Sequence, residues 1–253
     1  EKINPETTIF IIVSKTFSTI ETIENANKVR AWFIDSASED FLNDHFICIS
    51  NNIEATKKFG VSSENILSIP EWVGGRFSLW GSVGLVISIV IGSKNFKDFL
   101  RGANEMDIHF KSSPFEKNIS VVLALISIWY NNFFKCETEV VIPYSQFLSK
   151  LPDYLQQASM ESNGKSIDRS GEKVNYETGS IVWGSTGTNA QHAFFQLMHQ
   201  GTKIIPSDFI AFKKSLYGDS DQHKILNSNF LAQTNALMMG KSTSGENIHK
   251  NID

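Results

Sequence analysis

Several stretches of this 253-residue chain gather side chains able to do chemistry. Ser14-Lys15-Thr16-Phe17-Ser18-Thr19 follows a β-branched run and precedes a helical period. Hydroxyls, main-chain N–H groups and a helix start, met at the end of a strand, suit an anion such as a phosphate. There is no GxxxxGKS/T, so this is not a nucleotide P-loop. A capping box of Ser18 and Glu21 is the plainer reading, and it leaves Lys15 and the other hydroxyls unexplained. In Val73-Gly74-Gly75-Arg76-Phe77-Ser78, paired glycines admit close approach of the backbone, and Arg76 offers a guanidinium for a developing oxyanion. A glycine turn followed by a solvated arginine is the bland alternative. Glu161 falls near a predicted helix C-terminus, where the dipole disfavours a carboxylate, so it is either a general base or a surface glutamate. His192 follows Trp183-Gly184-Ser185-Thr186-Gly187 early in a predicted helix, a place that biases imidazole towards the neutral form able to pass a proton either way. His45, His109, His199, His223 and His249 show no metal-ligand spacing and read as structural, so no metal is expected.

These residues need elements to hold them. Thr8–Val13 reads as a strand buried on both faces. Ile20, Ile23, Ala26, Val29 and Phe33 then recur at helical spacing. His45–Ile49 and Asn65–Ile69 read as further strands around a short helix near Asn52–Phe59. Alternating strands and helices with short loops predict a parallel sheet covered by helices. From Arg76 to Phe134 the pattern is helical and apolar, with breaks expected at Gly92, Gly102 and Pro114. Val140–Pro143 is expected to end this half as a strand. A long helix from Tyr144 to about Met160, stopped near Asn163-Gly164, opens a second α/β set. That set has strands at Ser180–Trp183 and Thr202–Ile205, and helices at Asn189–His199 and His223–Met239. The expected domains are therefore 1–143 and 144–253.

Composition narrows the class. With 41% hydrophobic and 20% charged residues the chain is globular rather than disordered or collagen-like. A net charge of −4, from 23 Lys+Arg against 27 Asp+Glu and without a basic stripe, gives no reason to expect nucleic acid. Cys48 and Cys136 form no CxxC, and read as packing thiols of a reducing compartment. The longest apolar runs, Val83–Ile91 and Ile119–Tyr130, fall short of the roughly 20 residues a membrane span needs. No export signal is present, so a cytoplasmic protein is expected. The opening Glu1 and the polar end at Asn251-Ile252-Asp253 suggest a piece of a longer polypeptide.

Beyond these patterns, the runs Val73–Gly84, Gly102–Phe110, Met160–Lys165, Gly187–Gln196, His199–Phe209 and Leu231–Leu237 resemble, in order, the motifs of the phosphoglucose isomerase family. The resemblance covers nearly the whole chain. It implies two sugar-isomerase (SIS-type) α/β/α domains and interconversion of glucose 6-phosphate and fructose 6-phosphate through a cis-enediol(ate). It implies no cofactor, no membrane, and a homodimer with a shared active site. Carried over by matching residue, Ser14, Lys15, Thr16 and Thr19 look like the phosphate cradle. Glu161 resembles the base moving a proton between C1 and C2, and Arg76 beside Gly75 the group that holds the enediolate. His192 resembles the histidine that assists ring opening from the partner subunit, and Gln157 a residue beside the substrate. The family's N-terminal Gly-Ser phosphate contact has no counterpart here. Its C-terminal catalytic Lys would follow Asp253, and Lys241 and Lys250 lie outside that motif. Ala190 stands where the family more often has Gly. The alternative is a non-catalytic sugar-phosphate-binding module, or a secreted signalling protein, that keeps the isomerase fold.

Overall fold

The computed structural model describes residues 3–218 and 220–240. Lys241, His249, Lys250 and the terminal Asn251-Ile252-Asp253 lie outside the described residues. The chain separates into two compact units between Ser113 and Pro114. The first runs β1 (Phe10–Val13), α1 (Ile20–Ser36), α2 (Leu42–His45), β2 (Phe46–Ile49), α3 (Ile53–Phe59), β3 (Ile66–Leu67), α4 (Leu85–Ile91) and α5 (Ser93–Ser112). Its sheet has the order β1-β2-β3, all parallel, with Phe10 opposite Phe46 and Cys48 opposite Ile66. Ala26 and Phe33 of α1 face the sheet and bury against Ile12, Phe46, Cys48 and Phe59. Phe33 and Phe46 are fully buried, each contributing about 1.5–3 kcal/mol. Ile20, expected on that face, is exposed because it only begins the helix. Asn52 caps α3 by accepting the Ala55 N–H, and Gly60 ends it at a φ of 108°, open to glycine at little cost.

The second unit runs α6 (Ile119–Asn132), β4 (Thr138–Pro143), α7 (Leu151–Leu155), β5 (Ile181–Gly184), α8 (Gly187–Ala193), α9 (Phe195–Gln200), β6 (Ser207–Ile210) and α10 (Asp221–Met239). Its sheet has the order β5-β4-β6, again parallel. The α/β architecture with parallel sheets is thus as the sequence predicts, while several placements differ. β4 does not close the first half. It is the central strand of the second sheet, which is why Val140, Val141 and Ile142 are buried. Ser127 of α6 donates to Glu139 of β4 at 3.2 Å, tying α6 to the same unit. The units therefore divide ahead of the expected 143/144 boundary. Gly102 lies inside α5, and the real breaks are Gly92, at φ 84°, and Pro114. Thr202–Ile205 is not a strand, since the ladder to β4 begins at the Pro206 carbonyl and continues through Ser207–Ile210. Among the described residues no helix is long and apolar enough to cross a membrane.

Candidate active site

The hydroxyl-rich loop sits where β1 ends. The Phe17 N–H closes a turn on the Ser14 carbonyl at 3.2 Å, and Phe17 adopts a φ of 51°, unusual for a bulky residue. That left-handed turn sends the Phe17 ring into the core against Phe59 and leaves Thr16, Ser18 and Thr19 exposed. The predicted capping box is not formed. Thr19, not Ser18, is the N-cap of α1, no side chain caps that helix, and Ser18 bonds Thr16 at 2.7 Å instead. The first N–H groups of α1 therefore point out beside a cluster of hydroxyls, the arrangement that binds an anion. Ser14 is buried, with its Oγ 3.4 Å from Thr19 Oγ1.

Lys15 is held differently from the sequence expectation. Its Nζ donates to the carbonyls of Glu71, at 2.8 Å, and Val73, at 2.9 Å. Those carbonyls belong to the loop leading into Gly74-Gly75-Arg76. The loop ends in a 3₁₀ turn, Gly75–Trp80, in which Ser78 Oγ donates to the Gly75 carbonyl at 2.6 Å. Among the described residues nothing lies within 4 Å of where a Gly75 Cβ would stand, which leaves that backbone open to a ligand. Arg76 is half-buried, with its guanidinium 5.2 Å from the Phe77 ring centre. The anion loop and the Arg76 turn are thus brought together within one unit. The polar end of β2 braces both. Ser50 Oγ and the Asn51 N–H donate to the Lys15 carbonyl, Asn52 Nδ2 donates to Thr16, and Asn51 Oδ1 accepts the Ile69 N–H. Sequence reasoning passed over these three residues. The signal for them was a polar run ending a buried strand at the carboxyl edge of a parallel sheet.

In the second unit the expected long helix is shorter and of another kind. Tyr144 is fully buried beside β4 and not helical; a 3₁₀ turn follows at Gln146–Leu148, and α winding begins at Leu151, with Pro152 in the first turn. Gln156–Glu161 then forms a π turn, a rare winding that recurs at functional sites. Gln157 and Glu161 both lie in it, four residues apart and exposed. Gln156 Nε2 donates to the Val182 carbonyl at 3.0 Å, fastening the turn to β5. Ser162 Oγ returns to the Ala158 carbonyl at 2.6 Å, and Lys165 Nζ bonds the Glu161 carbonyl.

β5 also leads to His192. The expected helix from Asn189 to His199 is two short ones, broken at Phe194, whose backbone leaves helical space so that Phe194 packs on Trp183 while Phe195 is buried. His192 is exposed in the last turn of α8, so the helix-start argument for its neutral form does not apply. Gly187 is dictated by packing, since a Cβ there would stand 2.3 Å from the Tyr144 ring. Ala190 is buried in the second core, where its methyl is absorbed. Of the remaining histidines, four find nearby partners: His45 the Thr8 carbonyl, His109 Ser113, His199 Gln233 and His223 Asn227. Burial pushes the Cys48 thiol up to about 12, so it stays an unreactive packing group.

The family model of phosphoglucose isomerase matches residues 1–253. The chain belongs to that family. Within the phosphoglucose isomerase family, it is 60% identical over 240 residues to the glucose-6-phosphate isomerase of Christiangramia forsetii, covering 95% of this chain and 44% of that protein. It is 54% identical over 247 residues to the enzyme of the same name from Wigglesworthia glossinidia brevipalpis, covering 97% and 45%. The crystal structure of a glucose-6-phosphate isomerase from Chlamydia trachomatis superposes with a TM-score of 0.83 at 33% identity, covering 93% of this chain and 46% of that one. The chain therefore spans a little under half the length of these phosphoglucose isomerase relatives.

Proposed function

We propose that the protein carrying these residues interconverts glucose 6-phosphate and fructose 6-phosphate through a cis-enediol(ate), in glycolysis and gluconeogenesis. The observation that carries the reading is the family match running through every segment that bears a candidate residue, with Arg76, Glu161 and His192 all in place. Ser14, Thr16, Thr19 and the first N–H groups of α1 take the phosphate, and Lys15 adds positive charge nearby. Glu161 removes the proton α to the carbonyl and returns it to the neighbouring carbon. One carboxylate suffices for both transfers at carbon while a proton passes from O2 to O1; C2 is oxidised as C1 is reduced, so no external oxidant or reductant is needed. Arg76, above the open backbone of Gly75, holds the enediolate oxygen, and Gln157 lies against the sugar. His192 assists ring opening across a homodimer. A positioned base contributes about 10²–10⁴-fold and a preorganised oxyanion donor about 10²–10³-fold, which together match the demands of a weakly acidic C–H. We place the protein in the cytoplasm, which suits two buried free thiols.

A module that only binds sugar phosphate would need none of Arg76, Glu161 and His192, and no feature favours it. The test is NMR in D₂O of glucose 6-phosphate with the full-length protein and its Glu161→Gln variant. Deuterium entry at C2 with fructose 6-phosphate formation is expected. Glu161→Gln should lower the rate by at least about 10²-fold while sugar-phosphate binding persists. Near wild-type turnover in the variant would remove Glu161 as the base, and binding without exchange would leave the binding module.

A further inference from the structure

Gly74 and Gly75 bring no side chains to anchor the loop before Arg76, and among the described residues nothing lies within 4 Å of where a Gly75 Cβ would stand. Side chains of the same unit hold the backbone on both flanks of Arg76. On the far side Ser78 bonds the Gly75 carbonyl. On the near side the anchor is Lys15, whose half-buried ammonium bridges the Glu71 and Val73 carbonyls. Lys15 is itself clamped, because its own carbonyl accepts from Asn51 N–H at 2.9 Å and Ser50 Oγ at 3.2 Å. An ammonium has three N–H donors, and two of these are committed to the neighbouring loop. Charge-assisted bonds of this kind are about twice as strong as neutral ones.

We propose that the Lys15 side chain is a positioning residue: it ties the turn that binds the anion to the turn that presents Arg76, so its chief contribution is to the placing of the guanidinium rather than to anion affinity. The proposal rests on the isomerase reading for the role of Arg76, but not for the tether itself. A ligand role for Lys15 predicts the opposite split, with anion affinity lost and chemistry at saturation retained.

The experiment uses the full-length protein and its Lys15→Met, Arg76→Ala and double variants. It reads kcat and KM for fructose 6-phosphate, the affinity for inorganic phosphate by calorimetry, and amide hydrogen exchange over Val73–Phe77. Lys15→Met should lower kcat about 10²-fold, the scale of a misplaced catalytic group, with KM and phosphate affinity near wild type. Exchange at Val73–Phe77 should accelerate, and Lys15→Met should cost little more on top of Arg76→Ala. Weakened phosphate binding with kcat preserved, or exchange left unchanged, overturns the proposal. Should Lys15→Met fail to fold, Lys15→Gln decides: its side chain is shorter and uncharged and cannot bridge both carbonyls, so the same split is expected. An unchanged kcat in Lys15→Gln would overturn the tether. A wild-type protein without isomerase activity would remove the functional reading, and the exchange and phosphate measurements would still decide the tether.

Discussion

Tyr144 is a residue whose chemistry and setting disagree. Its ring fills the space between Gly187, Phe209 and Phe230, yet its buried hydroxyl has no hydrogen-bond partner among the described residues, and burial pushes its pKa up to about 12. An unsatisfied buried hydroxyl costs about 1–3 kcal/mol. Tyr144→Phe keeps the ring and should therefore raise stability by about 1 kcal/mol in urea unfolding, and a loss would mean the hydroxyl has a partner in solution. At this scale the sequence was most legible where residue type alone carries the chemistry. The hydroxyls of the first loop, Arg76 and Glu161 could be picked out by type and neighbourhood. What Lys15 and Ser18 do with their side chains could not, because their bonding is settled by a left-handed Phe17 and by a loop more than fifty residues away.

Elements show the same division. β2 and α1 are legible because pattern and burial agree in them, whereas β1, expected to be buried on both faces, is an edge strand in which only Ile12 is buried and Ile9 before it is exposed. β6 is not legible, because Lys203-Ile204-Ile205 has the better strand composition, while register against the buried β4 selects Ser207–Ile210. The α8–α9 break is illegible for a similar reason: Phe194 and Phe195 are set by the core they fill. Gly187→Ala should drive a methyl into the Tyr144 ring at the start of α8. We expect about 1–3 kcal/mol of destabilisation by urea midpoint, together with displacement of His192. The β4–β6 pair carries a pH signature. Glu139 lies with Ser127 and Asp208 around a partly open cavity of about 260 Å³. Burial first, then the charge of Asp208, hold its carboxyl above the usual 4.5. The native state thus keeps this proton more readily than the unfolded chain does. Stability present below about 4.5 is lost as pH rises through that value towards the folded one. Glu139→Gln should flatten that slope in denaturation curves taken across the range, and an unchanged slope would place its source elsewhere.

For the molecule as a whole, the apolar surface is unevenly distributed. α6 exposes Leu125, Ile128 and Trp129 by more than half, with Phe133 just beyond its end, and these residues border one apolar groove. Patches of this kind normally mark a surface that meets something. The 253 residues expressed alone should therefore bind a hydrophobic dye and aggregate beyond a dimer at micromolar concentration, whereas the full-length protein should bind no dye and stop at the dimer. Equal dye binding by both, followed by fluorescence and light scattering, would show that the face stays open in the longer chain. The apolar helical run read from the sequence at Ile119–Tyr130 describes the kind of environment its residues suit rather than the one these residues supply.

The wide winding at Gln156–Glu161 has a consequence for how this stretch can change in length. A π turn holds one residue more than the α turn it replaces. Deleting a single residue there, Ala158 for instance, would let the helix relax to ordinary winding and rotate all that follows by roughly 100° about its axis. Glu161 would then leave the side of the helix on which Gln156 is fixed to β5. Point substitutions are the gentler change in this segment, and a one-residue gap the severe one, although the gap removes no side chain with a proposed role.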